Sequence, residues 1–523
     1  MNISLTGATP AASVGAISDD LSLAPAPTTL SPNWRAIDLP PRVLQQITDL
    51  VGSRHVATGI AERLAHSLDR MPWSNFRRRT GDLPGTLASA VVSPADSTQL
   101  THLVQLANKH GLRLIPFGAG SGVLGGTTPM SCEVIVDLKR MDAILELNET
   151  DATVTVQAGM NGGSFEAELN RRGYTCGHLP QSIHISTVGG WAACRGAGQA
   201  SSRYGKIEDI LVGLKAVLPD GRALGVRPAA RRSVGPSIKD LMVGSEGVFG
   251  FITELTLRIW RKPEHEQGVV VAFPSRQAGF DALRETLQSE LRPQVMRLYD
   301  ETESGQRTEG IAEFAKRPIL CILKFAGPAR LAQVEEELTL AICARHGAIR
   351  ATDDTPYRHW EEVRYESYSA KWQAQGYYMD TIEVAMPWSQ LAAFYERVTV
   401  EVAAVDNRFY FAAHWSHIYT EGACQYMTLR LPPMPQTEAL PLHSRAWDVV
   451  QSTCLAMGGT VAHHHGAGIF RNKWLTQELN VGLDMLQILK DGIDPQNLLN
   501  PGKLGLRPAT GARVINADSG VSS

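Results

Sequence analysis

Eleven residues, Pro116-Phe117-Gly118-Ala119-Gly120-Ser121-Gly122-Val123-Leu124-Gly125-Gly126, restrict this 523-residue chain more than any others. They place Gly120, Gly122 and Gly125 at G-x-G-x-x-G spacing, which alone is a weak sign of a dinucleotide site. A doubly wound fold needs a helix to start at such a loop and cross back before the next strand. The pattern predicts strands from Arg113 to Phe117 and from Val134 to Leu138, and only seven residues, Pro129 among them, separate Gly126 from Val134. No crossover helix fits, so the loop must join its strands more directly. Glycine lets successive N–H groups point into one concavity and lets an anion approach closely. The stretch therefore reads as a phosphate cradle, the alternative being a glycine-rich turn without a ligand.

Composition narrows the rest. With 43% hydrophobic and 20% charged residues and a formal charge of −3, the chain is globular and has no general attraction for nucleic acid or an anionic membrane. Seven cysteines without a C-x-x-C pair describe neither a disulfide framework nor a zinc cluster and suit a reducing compartment. No apolar run is long enough to span a bilayer. The first thirty residues lack the basic region of a signal peptide, and Val521-Ser522-Ser523 is no peroxisomal address, so a cytoplasmic protein is expected.

Disordered tails are expected over 1–40 and 507–523, and a helical lead-in over 41–86, where Val43, Leu44, Ile47, Leu50 and Val51 recur at helical spacing. Ala90-Val91-Val92 reads as a strand, and Asp96-Ser97 opens a helix that ends at Gly111. Glycines cluster again at 189–198 and 244–250. After Trp260 glycine becomes scarcer and aromatics more frequent, which marks a second domain over 263–457; a segment over 458–506 returns to glycine- and histidine-rich turns.

The second cluster runs through Gly177-His178-Leu179-Pro180-Gln181-Ser182 and Ser186-Thr187-Val188-Gly189-Gly190, the third through Gly244-Ser245-Glu246-Gly247-Val248-Phe249-Gly250-Phe251-Ile252-Thr253. A PFGAGSG loop, then STVGG, then GSEGxxGxIT, in this order, resembles the FAD domain of the vanillyl-alcohol-oxidase/PCMH superfamily. The resemblance implies an α+β fold: a two-subdomain PCMH-type FAD-binding domain over 87–262, with a substrate cap of antiparallel sheet plus helices. It implies FAD as cofactor, with Pro116, Gly118, Ala119, Gly120, Ser121 and Gly122 at the phosphates. His178, Pro180, Ser182, Thr187, Gly189 and Gly190 would sit against the flavin, and Glu246, Gly247 and Ile252 further along the cofactor. No histidine lies between residues 111 and 177, which favours non-covalent FAD.

Ala462-His463-His464-His465-Gly466-Ala467-Gly468 is the most unusual stretch. Three adjacent histidines cannot share one face of a helix or strand, and the glycines imply a loop. A second group, His414-Trp415-Ser416-His417-Ile418-Tyr419, reads as a strand with His417 and Tyr419 alternating onto one face. A tyrosine base would need positive neighbours to lower its ordinary pKa of ~10. Solvated histidines are the plain alternative.

Within the superfamily, HHHGxG, GHxPxS, Arg203-Tyr204-Gly205 and Arg297-Leu298-Tyr299-Asp300 resemble the alkyldihydroxyacetonephosphate synthases. That resemblance implies chemistry without net redox change. A base takes a substrate proton, the flavin N5 becomes attached as the acyl group leaves, and an alcohol completes the exchange. Tyr419 would be the base, His417, His463, His464 and His465 would shape the catalytic site, and Arg297 would meet the substrate phosphate. A second reading is an FAD-linked oxidase or dehydrogenase of a 2-hydroxy acid or alcohol, in which His414, His417, His464 and His465 could ligate a metal. A third is an FAD-binding module without turnover. A homodimer is plausible from the resemblance, and the expected partner is a small-molecule substrate.

Overall fold

The computed structural model describes residues 34–79, 85–366 and 368–510. The outer parts of the expected tails, 1–33 and 511–523, lie outside the described residues. Their inner parts are held. Trp34–Arg35 pairs in parallel with Gly85–Thr86, and Arg507 is ion-paired to Asp491 with its N–H on Gln487. These residues, expected in the tails, have backbone or charge partners that keep them in place.

Three parallel strands, Ala90–Val92, Val134–Asp137 and Leu114–Phe117, form the first sheet in that order, with Val56–Ala57 of the lead-in antiparallel at its edge. The helix Ser97–His110 makes the first crossover. Asp96 caps its Thr98 and Gln99 N–H groups at 2.8 Å, and Gly111 ends it at φ 65°. The second crossover, 118–133, contains no helix at all. Parallel strands normally need a helix between them; here irregular glycine-rich chain does the joining, as its length dictates.

A five-stranded antiparallel sheet follows, in the order Ala223–Val226, Leu211–Val217, Phe251–Arg258, Thr153–Gln157 and Ile144–Asn148. Phe165, Trp191 and Leu255 are among the side chains that fill the core behind it.

The second domain is built on seven antiparallel strands. Their order is Ile349–Arg350, His265–Phe273, Ile319–Gly327, Val295–Tyr299, Tyr410–Ile418, Gly422–Leu431 and Tyr378–Pro387. The period of two separates its faces. Leu298, Trp415, Ile382 and Val384 join Phe280, Leu391, Phe394 and Trp447 of the helices Arg276–Gln288, Trp388–Val405 and Gln436–Ala456 in one apolar core. The alternate residues, including Arg297, His414 and Tyr426, face the other way and line the cavity against the first domain.

The chain ends back on the first sheet. Leu499 bridges Leu114 in parallel, with Leu114 N–H on Leu498 O at 2.8 Å and Asn500 N–H on Leu114 O at 2.9 Å. A buried ion pair holds this return. Lys490 Nζ meets Asp494 at 2.5 Å and donates to Val248 O and Leu499 O, while Asp494 accepts the N–H groups of Leu498 and Leu499. Removing one partner leaves the other charge buried and unpaired, at a cost of about 3–5 kcal/mol. Asp494→Ala should lower unfolding stability by about that amount, measured by urea denaturation.

Candidate active site

One cavity of about 810 Å³ lies where the cap sheet, the glycine loops and the C-terminal segment meet. Pro116, Gly118, Ala119, Gly120, Ser121 and Gly122 line one end, and among the described residues nothing accepts a hydrogen bond from the amides of Gly118 to Val123. A Cβ on Gly118 would fall 2.4 Å from Thr187 Oγ1, so only glycine lets the first and second loops approach this closely. His178, Pro180, Ser182, Thr187, Gly189 and Gly190 line the middle. His178 is 0% exposed and neither ring nitrogen has a partner within the protein. Glu246, Gly247 and Ile252 complete that wall. A long cleft with free amides at one end and a buried, unpartnered imidazole midway fits FAD lying along it.

The cap contributes the floor. Arg297, His414, Ser416, His417 and Tyr426 face the cavity, joined by His464 and His465 of the histidine loop. The expected simple alternation of His417 and Tyr419 is corrected here. His417 is an extra residue in a bulge between Ser416 and Ile418, at φ 54°, and Tyr419 lies just beyond the strand end. The bulge turns His417 to the cavity beside Ser416.

Tyr419 and His463 are not among the cavity-lining residues; they stand behind them. Tyr419 OH is 2.9 Å from His463 Nε2 and donates to Ser201 Oγ at 3.4 Å. Ser201 Oγ is 2.8 Å from His417 Nδ1, and His463 Nδ1 is 2.9 Å from His464 Nδ1. The five groups form a hydrogen-bonded circuit whose two ends, His417 and His464, both face the cavity.

Two carboxylates fix the histidine loop. Glu383, 0% exposed in the cap strand Tyr378–Pro387, accepts the N–H groups of His463 at 2.5 Å and His465 at 3.0 Å and pairs with buried Arg471 at 2.8 Å. Glu246 accepts the N–H groups of Ala467 at 2.7 Å and Gly468 at 2.9 Å. Gly468 must be glycine, since its φ is 54° and a Cβ would meet Leu124 O at 2.0 Å.

Comparison with known proteins agrees with this architecture. The FAD binding domain family matches residues 88–227, and the family of FAD linked oxidases, C-terminal domain, matches residues 262–504. The two matches together make the chain an FAD-dependent flavoenzyme with an FAD binding domain followed by the C-terminal domain of FAD linked oxidases. It is 28% identical to an alkyldihydroxyacetonephosphate synthase of Dictyostelium discoideum, over 84% of this chain and 77% of that one. It is 29% identical to an FAD-linked oxidoreductase of Escherichia coli K12, over 88% and 98% of the two chains. A probable mitochondrial D-lactate dehydrogenase of Danio rerio is 27% identical over 88% and 91%. Among solved structures, an alkyldihydroxyacetonephosphate synthase superposes with a TM-score of 0.74 at 24% identity, covering 89% of this chain and 85% of that one, which shows the shared fold.

Six histidines of this site are held neutral. Burial pushes His178 and His417 down to about 3 and His414 to about 4, with Lys206 or Arg297 adding to it. Burial likewise lowers His463, His464 and His465. It pushes the Tyr419 phenol up, with the hydrogen bond between Tyr419 and Ser201 acting the other way. The positive neighbours that a tyrosinate would need do not prevail, so Tyr419 rests protonated.

The four histidines of the alternative metal reading are not drawn together as one set. His414 Nδ1 turns to Glu303 at 3.3 Å and His465 Nδ1 to Glu383 at 3.6 Å. Among the described residues, His417, His463 and His464 are instead the histidines whose ligand atoms lie within 4.8 Å of one another. Ser201 and Glu383 are functional residues that sequence reasoning missed. Glu383 left a signal, a lone charge in the apolar run Ile382-Glu383-Val384-Ala385-Met386; Ser201 left none.

Unfolded histidines take up protons below their ordinary value of ~6.5, while the folded ones stay neutral, so the unfolded state binds more protons as pH falls through that value. Asp69, raised by burial to about 7, Asp300, raised to about 6, and Glu166 and Glu246, also raised by burial, act in the opposite sense but are four against six histidines. The melting temperature should therefore fall between about pH 7 and about pH 5, with net proton uptake on unfolding; a flat or rising profile in thermal scans across buffers would contradict it.

Proposed function

We propose that this flavoenzyme takes and returns a carbon-bound proton on a small anionic substrate. Its reaction is the exchange of the acyl group of a dihydroxyacetone-phosphate ester for an alkyl group, as the alkyldihydroxyacetonephosphate synthases it is similar to are named for. Ester and alcohol give ether and carboxylic acid, with no net oxidation. The observation that carries this reading is the circuit His417–Ser201–Tyr419–His463–His464, open to the cavity at both ends. Its members are all neutral near pH 7, so a proton accepted at one end has a hydrogen-bonded route to Tyr419 and back.

FAD supplies the electron-accepting ring against which the substrate carbon is activated. The chain's own residues do the rest. Arg297 faces the cavity with Nε on Tyr299 OH at 3.0 Å and, among the described residues, no carboxylate within ion-pair distance, which suits it to the substrate phosphate. Tyr419 and His463 hold and move the proton. Glu383 and Glu246 keep the histidine loop in register with the cap.

Oxidation of a 2-hydroxy acid is the second reading. It is favoured by the trio His417, His463 and His464, whose spacing suits a zinc-type ion. Holoenzyme mixed anaerobically with an acyl dihydroxyacetone phosphate and an isotopically labelled alcohol should yield the labelled ether by mass spectrometry, with the flavin oxidised at the end. Bleaching by a hydroxy acid without ether formation, together with a bound metal, would overturn the exchange reading in favour of the second. Tyr419→Phe should keep FAD and lower turnover by about 10²–10⁴-fold; unchanged turnover removes Tyr419 from the circuit's role.

A further inference from the structure

The cavity floor changes character along its length. On the paired strands Tyr410–Ile418 and Gly422–Leu431, successive rows on this face are Ser416 with Cys424, His414 with Tyr426, Ala412 with Thr428, and Tyr410 with Arg430. From Ser416 to Tyr410 the strand covers about 20 Å, so the last row lies well away from the histidine circuit.

At that far row the Arg430 guanidinium lies 3.6 Å from the centroid of the Trp372 ring and 4.2 Å from that of Tyr410. Ring faces attract the cation but accept few of its in-plane N–H donors. Two other cavity arginines are charge-paired, Arg307 with Glu303 and Arg364 with Glu361, whereas Arg297 at the histidine end has no such pair among the described residues. Among the described residues Arg430 has no carboxylate within ion-pair distance and no oxygen accepting its hydrogen bonds. Its neighbours along the wall include polar Thr381, Thr428 and Gln306, with Met379 opposite it on the adjoining strand. A plain hydrocarbon tail would have to cover this guanidinium without satisfying it.

We propose that Arg430, held between Trp372 and Tyr410, is an anion-recognition site that takes a terminal carboxylate or phosphate on the distal end of an elongated substrate. This rests on the reading that the histidine circuit marks the reacting end. A planar guanidinium fork matches either oxyanion in a bidentate way, and the stacking presets its orientation. The enzyme then selects acids or esters that bear a second negative group, and discriminates against chains ending in a methyl group.

The test uses the FAD-loaded enzyme and non-reacting probes, so it does not depend on turnover. Straight-chain dicarboxylates and monocarboxylates of equal carbon number, and their ω-phosphate counterparts, are titrated while the absorption spectrum of the bound flavin is followed. Wild type should bind the doubly charged member of a pair at least about tenfold more tightly at its best chain length. Preference for the carboxylate or the phosphate series identifies the group. Arg430→Met should bring the ratio to about one, while Arg430→Lys, which keeps charge without the fork, should retain part of it. If Arg430→Met does not hold FAD, Arg430→Gln is read in its place. A wild-type ratio of one at every length, or an undiminished ratio in Arg430→Met, overturns the proposal. Failure of ether formation with the ratio intact would instead count against the exchange reading alone.

Discussion

Two carboxylates, Glu246 and Glu383, hold three separate stretches of chain together as one site. A carboxylate taken out of water must be compensated by donors. Glu383, rooted in the cap sheet, finds them in the amides of His463 and His465 and in Arg471; Glu246, rooted in the third glycine loop, finds them in the amides of Ala467 and Gly468. Neither can let go without leaving a charge unpaired. The histidine loop is thus pinned from both domains, and the cavity between them has a defined shape.

That pinning sets the electrostatics. Glu383 spends its charge on backbone N–H groups and on Arg471, so the side chains of His463 and His464 are left to bond Tyr419 and each other. Deep burial then removes their positive charge. The result is a chain of neutral donors and acceptors, the kind of path along which a proton moves with little charge left behind. Arg297 and Arg430 bring positive charge to the substrate side of the cavity, at different ends of the same sheet face.

The most legible element was the first glycine loop. Its seven-residue distance to the next strand excluded a crossover helix, and the chain from 118 to 133 indeed contains none. The helix Ser97–His110 was legible at both ends because Asp96 and Gly111 are local stop signals whose effect needs no distant partner. The strand of His417 was read less well. Alternation assumes a regular pleat, whereas a bulge at positive φ depends on the register with Cys424 and Ala423 on the neighbouring strand. Which histidines meet likewise depends on carboxylates, Glu303 and Glu383, that are remote in sequence.

By itself the sequence determined where backbone could come close to backbone and to an anion, because glycine spacing and loop length are local properties of the chain. Only the tertiary structure decided that Ser201, Tyr419 and His463 join into one circuit, that Glu383 anchors it, and that Arg430 is left without a counter-charge. Those outcomes depend on desolvation and on partners more than a hundred residues apart in several cases, as with Ser201 and His417, and no local pattern encodes them.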